Sequence, residues 1–279
     1  MVRLTLLVLA LFGLSVIFLV RRARRGAFRE RLMAEPLPEE WETALKQNVP
    51  LYSRLPDGMQ RELRGLINIF LHEKRFEGCG GLEITDEIRV TVAGQACILL
   101  LNRQTDFYPR LSSILVYPGA YVAKEVWHTP AGVAVEEDSV RLGESWDSGT
   151  VVLAWDSIKH GAWDWKDGHN VVLHEFAHRL DQQDGTADGA PILEQRSRYV
   201  TWARTLSREY EQLQKKVKRG RKTVMDDYGA TDPAEFFAVA TETFFEKSRQ
   251  MKKKHPELYS ELRTYYKLDP AAWPRKVEP

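Results

Sequence analysis

Two histidines four residues apart in an apolar segment constrain this chain more than any other feature. The pattern H-E-x-x-H runs from His174 to His178, and apolar residues flank it on both sides. Because residues i and i+4 of an α-helix project from one face, the segment predicts a partly buried helix over about Asn170–Gln182. Both imidazoles can then reach the same point, which indicates a metal site.

Zinc is the ion that this pattern predicts, because zinc accepts nitrogen and oxygen ligands in a tetrahedral arrangement. Glu175 would face the open coordination position, take a proton from the attacking water and pass it to the leaving nitrogen. Asp181, three residues after His178, could hydrogen-bond a ligand imidazole or be an exposed acid at the helix end. Neither Cys79 nor Cys97 has metal-ligand spacing, which favours an open site over a closed structural one.

The third protein ligand of a catalytic zinc is not settled by the motif. Asp184 stands at the last position of the extended pattern H-E-x-x-H-x-x-G-x-x-H, but Asp181 replaces the glycine that makes the turn. A second predicted helix, which begins at Asp232, is the better source. Three of its acids qualify: Glu235, Glu242 and Glu246. Glu235 also fits the capping-box position, and spacing alone does not separate it from Glu242, since both can lie on one face.

Five stretches of the chain carry a more specific signal than the motif alone. They are NVPLYSRLP at 48–56, FEGCGGLEITDEIRV at 76–90, ILVYP at 114–118, DGHNVVLHEFAHRLD at 167–181 and YGATDPAEFFAV at 228–239. Together they resemble the Mlc titration factor A family of zinc-dependent peptidases over most of residues 40–270. The long run around the histidines with D-P-A-E downstream is much rarer than H-E-x-x-H by itself.

The resemblance implies a gluzincin-type site, in which His174, His178 and Glu235 bind one zinc ion and Glu175 is the base. The portion Y-x6-E-F-F-A is also similar to the catalytic domain of anthrax lethal factor. That similarity implies that the hydroxyl of Tyr228 donates a hydrogen bond to the tetrahedral oxyanion.

The expected function is therefore a zinc metallopeptidase whose partner is a peptide or protein substrate. The family member that gave the name binds the glucose repressor Mlc. The alternative function is thus a regulatory protein that sequesters a transcriptional repressor, with peptidase activity secondary.

The distribution of strand and helix signals predicts an α+β fold, a mainly helical zincin-like domain with a small β-sheet. Strand signals occur at Ile114–Tyr117, Tyr121–Lys124 and Val151–Trp155, and long helices dominate the carboxyl half without βαβ alternation. Val151–Trp155 is a candidate edge strand along which a peptide could lie. Residues 57–75 and, more weakly, the stretch from Thr85 to Leu101 also read as helices.

The amino terminus predicts a single membrane-spanning helix. Leu4 to Val20 is 17 residues without a charge, about 25 Å as a helix, at the short end of the transmembrane range. Four arginines follow it and one precedes it, which predicts a cytoplasmic body on the inner membrane. The predicted division is an anchor at 1–25, a tether at 26–35 and the metallopeptidase domain at 36–279.

Charge balance argues against nucleic acid as a partner. The chain has 40 basic and 39 acidic residues, a formal net charge of +1. Residues 1–25 hold five arginines and no acid, so residues 26–279 carry a formal charge of −4. A mildly acidic body does not offer the basic surface that a phosphate backbone needs.

Overall fold

The computed structural model describes the backbone of residues 2–103, 106–119, 121–128, 134–141, 143–146 and 149–274. It describes the side chains of residues 13, 15–103, 106–119 and 149–274. The helices in this part of the chain are α1 Val2–Ala34, α2 Glu39–Asn48, α3 Asp57–Glu73, α4 Asp86–Ile98, α5 Trp155–Trp163, α6 Val171–Asp181, α7 Arg198–Val217, α8 Pro233–Glu246, α9 Ser248–Lys254 and α10 Pro256–Tyr266. Short 3₁₀ helices occur at Tyr52–Arg54, Gln182–Asp184, Asp227–Ala230 and Pro270–Ala272.

The strands form one small mixed sheet and one separate hairpin. They are β1 Arg75–Gly78, β2 Ser113–Tyr117, β3 Tyr121–His128, β4 Ala134–Arg141, β5 Gly143–Trp146 and β6 Thr150–Ala154. The sheet has the order β1-β2-β6-β5, in which the first three strands are parallel and β5 runs antiparallel to β6. Strands β3 and β4 form the antiparallel hairpin. The predicted α+β class with a small sheet is confirmed at this level.

Two details of the sheet differ from the sequence predictions. Strands β1 and β2 are parallel and joined through α4, so the fold contains a βαβ unit that the strand signals did not predict. Strand β6, predicted as an edge strand over Val151–Trp155, is paired on both sides and is therefore interior. Both errors have one cause, since partners distant in the chain decide strand order and leave no local pattern.

Helix α1 continues past its arginines and packs on α3, where the sequence predicted a tether over residues 26–35. Asn68 of α3 donates to the carbonyls of Leu32 and Glu35 at 3.1 and 2.8 Å, which satisfies groups at the end of α1. Gly65 allows the contact, because a Cβ there would lie 2.7 Å from the carbonyl oxygen of Met33. The helical register of residues 26–34 is thus held by α3.

The membrane-anchor prediction falls mainly on residues whose side chains are outside the described set. These are residues 4–12 and 14 of the predicted span Leu4–Val20. Within the described residues, no helix is both long enough and apolar enough to cross a bilayer.

Local capping signals explain where three helices of the body begin. Thr85 accepts from the backbone N–H of Ile88, Asn170 from that of Leu173, and Asp232 from that of Glu235. Each side chain satisfies one of the free N–H groups in the first turn of α4, α6 and α8 respectively. The starts of α6 and α8 matter most, because these two helices pack against each other and carry the residues of the predicted metal site.

Aromatic packing fixes α6 and α8 in the core. Phe176 of α6 contacts Phe70 and Tyr108, with ring centroids 5.7 and 4.9 Å apart. On α8, every residue from Phe236 to Glu246 is buried, and Phe237 packs against Trp202. Because close-packed aromatic side chains permit little movement, the two helices form a rigid support for the polar groups between them.

Candidate metal centre

His174, His178 and Glu235 converge at the contact between α6 and α8. The Nε2 atom of His174 lies 3.1 Å from Nε2 of His178 and 3.0 Å from Oε2 of Glu235. The Nε2 atom of His178 lies 3.4 Å from the same carboxylate oxygen. Among the described residues, these three are the group of ligand-type side chains that could hold a metal ion.

The spacing of the three ligand atoms fits a tetrahedral ion. A zinc ion about 2.0–2.1 Å from each ligand atom holds neighbouring ligand atoms about 3.3–3.4 Å apart, since a tetrahedron's edge is about 1.6 times its centre-to-corner distance. The observed separations of 3.0 to 3.4 Å come close to that edge. The two nitrogens and one carboxylate oxygen are also the donors that zinc accepts. The residues present therefore fit a zinc ion.

Glu242 orients the first histidine. Its Oε1 lies 2.7 Å from Nδ1 of His174, and its Oε2 accepts from the backbone N–H of Asn170. An ionised carboxylate can only accept a hydrogen bond, here from Nδ1–H, so this contact leaves the Nε2 lone pair of His174 directed at His178 and Glu235. The sequence pattern also allows Glu242 as a metal ligand, but its position behind the imidazole instead fixes the orientation of the ring.

The electrostatics of the site favour a positive charge at His174. Burial alone would lower the pKa of the imidazole, but the carboxylates of Glu242 and Glu235 raise this pKa well above its ordinary value. Burial likewise opposes ionisation of Glu235, yet its hydrogen bonds with His174 and His178 lower its pKa below the ordinary value. Either a proton or a metal cation supplies the positive charge that this arrangement favours.

Glu246 extends the same hydrogen-bond network one turn further along α8. Its carboxylate accepts from the side chain of Asn170 and from the backbone N–H of Gly168, both at 3.1 Å. Burial, the first cause, and the nearby Glu242 raise its pKa well above the ordinary value. Glu242 and Glu246 thus clamp the loop that leads into α6, although Glu246 itself contacts no histidine.

Glu175 lies beside the ligand cluster as a buried carboxylate with a free acceptor. The residue is 4% exposed, and its Oε2 has no hydrogen-bond partner among the described residues. Burial raises its pKa above the ordinary value, partly opposed by the two histidines. A buried acceptor without a partner is costly, so its presence here points to a ligand or solvent proton that it receives.

Tyr228 lies on the open side of the cluster. Its ring centroid is 6.0 Å from that of His174, and the residue is 53% exposed. It belongs to the 3₁₀ helix at Asp227–Ala230, where Asp226 accepts from its backbone N–H at 2.8 Å. The ring is thus close enough to the histidines to contact a molecule bound there.

Two other sequence candidates lie away from the cluster. Asp184 is exposed in the 3₁₀ helix after α6 and accepts from the backbone and hydroxyl of Thr186. Asp181 is fully buried and accepts from the backbone N–H of Gly189 at 2.9 Å, while its Oδ1 has no partner among the described residues. Asp181 thus forms no hydrogen bond with either histidine among the described residues, whereas Glu242 contacts Nδ1 of His174.

The class of protein follows from this arrangement. The two histidines of the H-E-x-x-H pattern on one helix and a carboxylate from a second helix could hold a metal ion, and this donor set is typical of metallopeptidases. The chain belongs to the family described as "Glucose-regulated metallo-peptidase M90", which matches residues 20–267.

Similar proteins cover nearly the same part of the chain. "Uncharacterized protein slr2042" of Synechocystis sp. is 45% identical over 245 residues, which is 86% of this chain and 88% of that protein. "Mlc titration factor A" of Pectobacterium atrosepticum is 31% identical over 84% of this chain and 88% of its own length. The protein of the same name from Klebsiella pneumoniae is 32% identical, with shares of 82% and 86%. The family recognised from the sequence motifs is confirmed.

Proposed function

We propose that this chain is a zinc-dependent peptidase in which His174, His178 and Glu235 hold the ion and Glu175 is the general base. The observation that carries the proposal is the convergence of three ligand atoms, 3.0 to 3.4 Å apart, beside a buried carboxylate oxygen without a partner. Membership of a metallo-peptidase family supports the same reading.

The proposed reaction assigns each side chain a task at the scissile bond. When bound, zinc polarises the carbonyl of the substrate and lowers the pKa of water. Glu175 accepts a proton from the attacking water through its free oxygen and then delivers it to the leaving amine. The hydroxyl of Tyr228 donates a hydrogen bond to the oxyanion that develops on the carbonyl oxygen. Glu242 keeps Nε2 of His174 directed at the centre throughout.

Zinc content tests the ligand set directly. We expect about one zinc per chain by elemental mass spectrometry of the full chain in neutral detergent, because the three donors match zinc. Glu235→Gln should hold much less zinc. Asp184→Asn, which changes the rival acid, is the matched control and should keep it. Zinc retained in Glu235→Gln but lost in Asp184→Asn would overturn the ligand set.

A second function has support from the relatives. Several of them are named "Mlc titration factor A", a name that refers to Mlc. The corresponding proposal for this chain is sequestration of a transcriptional repressor, with hydrolysis secondary. Glu175→Gln separates the two functions in a deletion strain. If Glu175→Gln restores the wild-type phenotype to this strain, the protein acts by binding. If it does not, the result points to catalysis.

We also propose that the amino-terminal helix attaches the body to the inner face of the membrane. The side chains of Val16 to Val20 are exposed on α1, and arginines follow directly. An exposed apolar run before a basic cluster is typical of a segment that enters a bilayer from its basic side. Protease added to intact spheroplasts should leave the body uncut. Cleavage without lysis would overturn this orientation.

A further inference from the structure

A cleft separate from the metal ligands lies where α1, the end of α3 and the start of β1 meet. Its volume is about 870 Å³, and it is lined in part by Arg25, His72, Glu73, Lys74 and Arg75. None of the residues at the metal centre lines it. Three strong bases and one acid face the cleft, so its lining has an excess of positive charge.

The one acid of the lining is already neutralised. Both carboxylate oxygens of Glu73 are engaged, by Arg25 at 2.9 Å and by Arg29 at 2.7 and 2.9 Å. Arg75 is exposed and forms no ion pair within the part of the chain that the structure describes. The surplus charge of the cleft is therefore not balanced by the acids around it.

Lys74 lines the cleft and is a buried cation without an ion-pair partner among the described residues. The residue is only 7% exposed, and its Nζ donates to the carbonyls of Tyr108 and Leu111 at 2.7 and 2.8 Å. An ammonium group has three N–H donors, so one remains after these two bonds. A buried charge that contacts only neutral carbonyls is costly unless an anion joins it.

We propose that this cleft binds a phosphate group. A phosphate offers several acceptor oxygens and up to two negative charges, which match the fork of Arg75, the shared guanidinium of Arg25 and the remaining donor of Lys74. Burial lowers the pKa of Lys74 to about 8, and a bound anion would raise this pKa again. The proposal is independent of the peptidase function.

Two sources of phosphate fit the position of the cleft. Arg25 follows Val20 by five residues, about 8 Å along a helix, so it would lie near headgroup depth if the exposed apolar run enters a bilayer. A phospholipid headgroup is then the source. A phosphate ester in solution offers the same chemistry to the same side chains.

Inorganic phosphate and nanodiscs distinguish these sources. The full chain in neutral detergent is titrated with phosphate by calorimetry, and its unfolding temperature is then compared in nanodiscs of phosphatidylcholine with and without phosphatidylglycerol. We expect Arg75→Gln to weaken phosphate binding at least about tenfold, since a charge-assisted contact is lost. Lys253→Gln, an exposed lysine on α9, is the control and should bind like the wild type.

The outcomes separate the sources and can overturn the proposal. Stabilisation by phosphatidylglycerol that is lost in Arg75→Gln assigns the cleft to a lipid headgroup. Phosphate binding lost in Arg75→Gln without any lipid effect assigns it to a soluble ester. Lys74→Gln, which removes the buried positive charge but keeps a polar side chain, should also weaken binding. If wild type and Arg75→Gln respond alike to phosphate and to both nanodiscs, the cleft is not a phosphate site.

Discussion

The candidate metal centre and the cleft beside α1 are both clusters of charged side chains, but the excess charge is negative in the first and positive in the second. Around the two histidines lie four carboxylates, those of Glu175, Glu235, Glu242 and Glu246. In the cleft, Arg25, Lys74 and Arg75 face the single acid Glu73. The first cluster lacks positive charge and the second lacks negative charge. An excess of one charge lowers the stability of the folded protein. It is therefore a stronger indication of a bound ligand than a balanced ion pair is.

The two clusters also differ in how firmly the protein holds them. At the metal centre the carboxylates of Glu242 and Glu246 are buried, and together they accept hydrogen bonds from an imidazole, an amide side chain and two backbone N–H groups. At the cleft the side chain of Arg25 is 56% exposed, Arg75 is also exposed, and Lys74 is held by two backbone carbonyls. Pre-organised groups suit catalysis, whereas an open cationic cleft suits attachment. The predictions that follow test this contrast.

The largest effect is expected at Glu175. Glu175→Gln should reduce turnover of a peptide substrate about a thousandfold, because a general base contributes about 10²–10⁴-fold. Its zinc content should stay at the wild-type level, since no ligand is changed. Turnover is measured with a quenched fluorescent peptide library and zinc by elemental mass spectrometry. Full activity in this variant would show that the unpartnered carboxylate oxygen does not serve as the base.

A smaller effect is expected at Glu242, which acts through His174. Glu242→Ala should raise the zinc dissociation constant about 10- to 100-fold, as measured by competition with a chelator, because the ring loses the group that orients it. Glu246→Gln is the matched control, since that carboxylate contacts Asn170 and Gly168 but no histidine. An equal loss of zinc affinity in both variants would assign the effect to the loop clamp rather than to the histidine.

Much of the site was predictable because its signals are local. The helix of the two histidines, its Asn170 cap and the start of α8 at Asp232 each depend on residues within one turn. The choice between Glu235 and Glu242 was not predictable from spacing. The two are seven residues apart, about 10 Å along the helix, so they share a face but reach opposite nitrogens of His174.

The sheet was less predictable, since its order depends on contacts between distant residues. Strand β1 is only four residues long and begins two residues after the end of α3. The helix predicted over residues 57–75 therefore included Arg75, the first residue of the strand. Strand β6 is interior because it pairs with both β2 and β5, and the residues of Val151–Trp155 do not indicate which strands lie beside it. The cleft was missed for the same reason, because Arg25 and Lys74 are brought together only by the packing of α1 on α3.

Glu73, whose charge Arg25 and Arg29 neutralise, should contribute to stability rather than to phosphate binding. Arg25 and Arg29 lower the pKa of Glu73 to about 2 despite its burial, so its stabilisation is present above its unfolded pKa near 4.5 and is lost as the pH falls towards 2. We expect Glu73→Gln to lower the free energy of unfolding by about 2 kcal/mol at pH 7, and by much less at pH 3. Urea denaturation measures this difference.

Glu77→Gln, which changes an exposed glutamate on β1, is the matched control and should have little effect at either pH. A destabilisation by Glu73→Gln that is the same at pH 3 and pH 7 would mean that lost packing, and not the charge, causes it. The contrast between the neutralised Glu73 and the unpaired cations of the cleft would then lose its basis.

The smallest effect is expected at Asp181, a buried acid that has neither a metal nor a base bonded to it in the described structure. Burial raises its pKa from 3.8 to about 6, so its ionised form costs stability as the pH rises through that range. Asp181→Asn should therefore raise the free energy of unfolding by about 1 kcal/mol at pH 8 and by almost nothing near pH 4. The amide oxygen can still accept from Gly189, while the NH₂ group replaces the Oδ1 that has no partner. Destabilisation at pH 8 would show instead that the ionised carboxylate is needed, and that an unbalanced buried charge outside the two clusters also has a partner in the working protein.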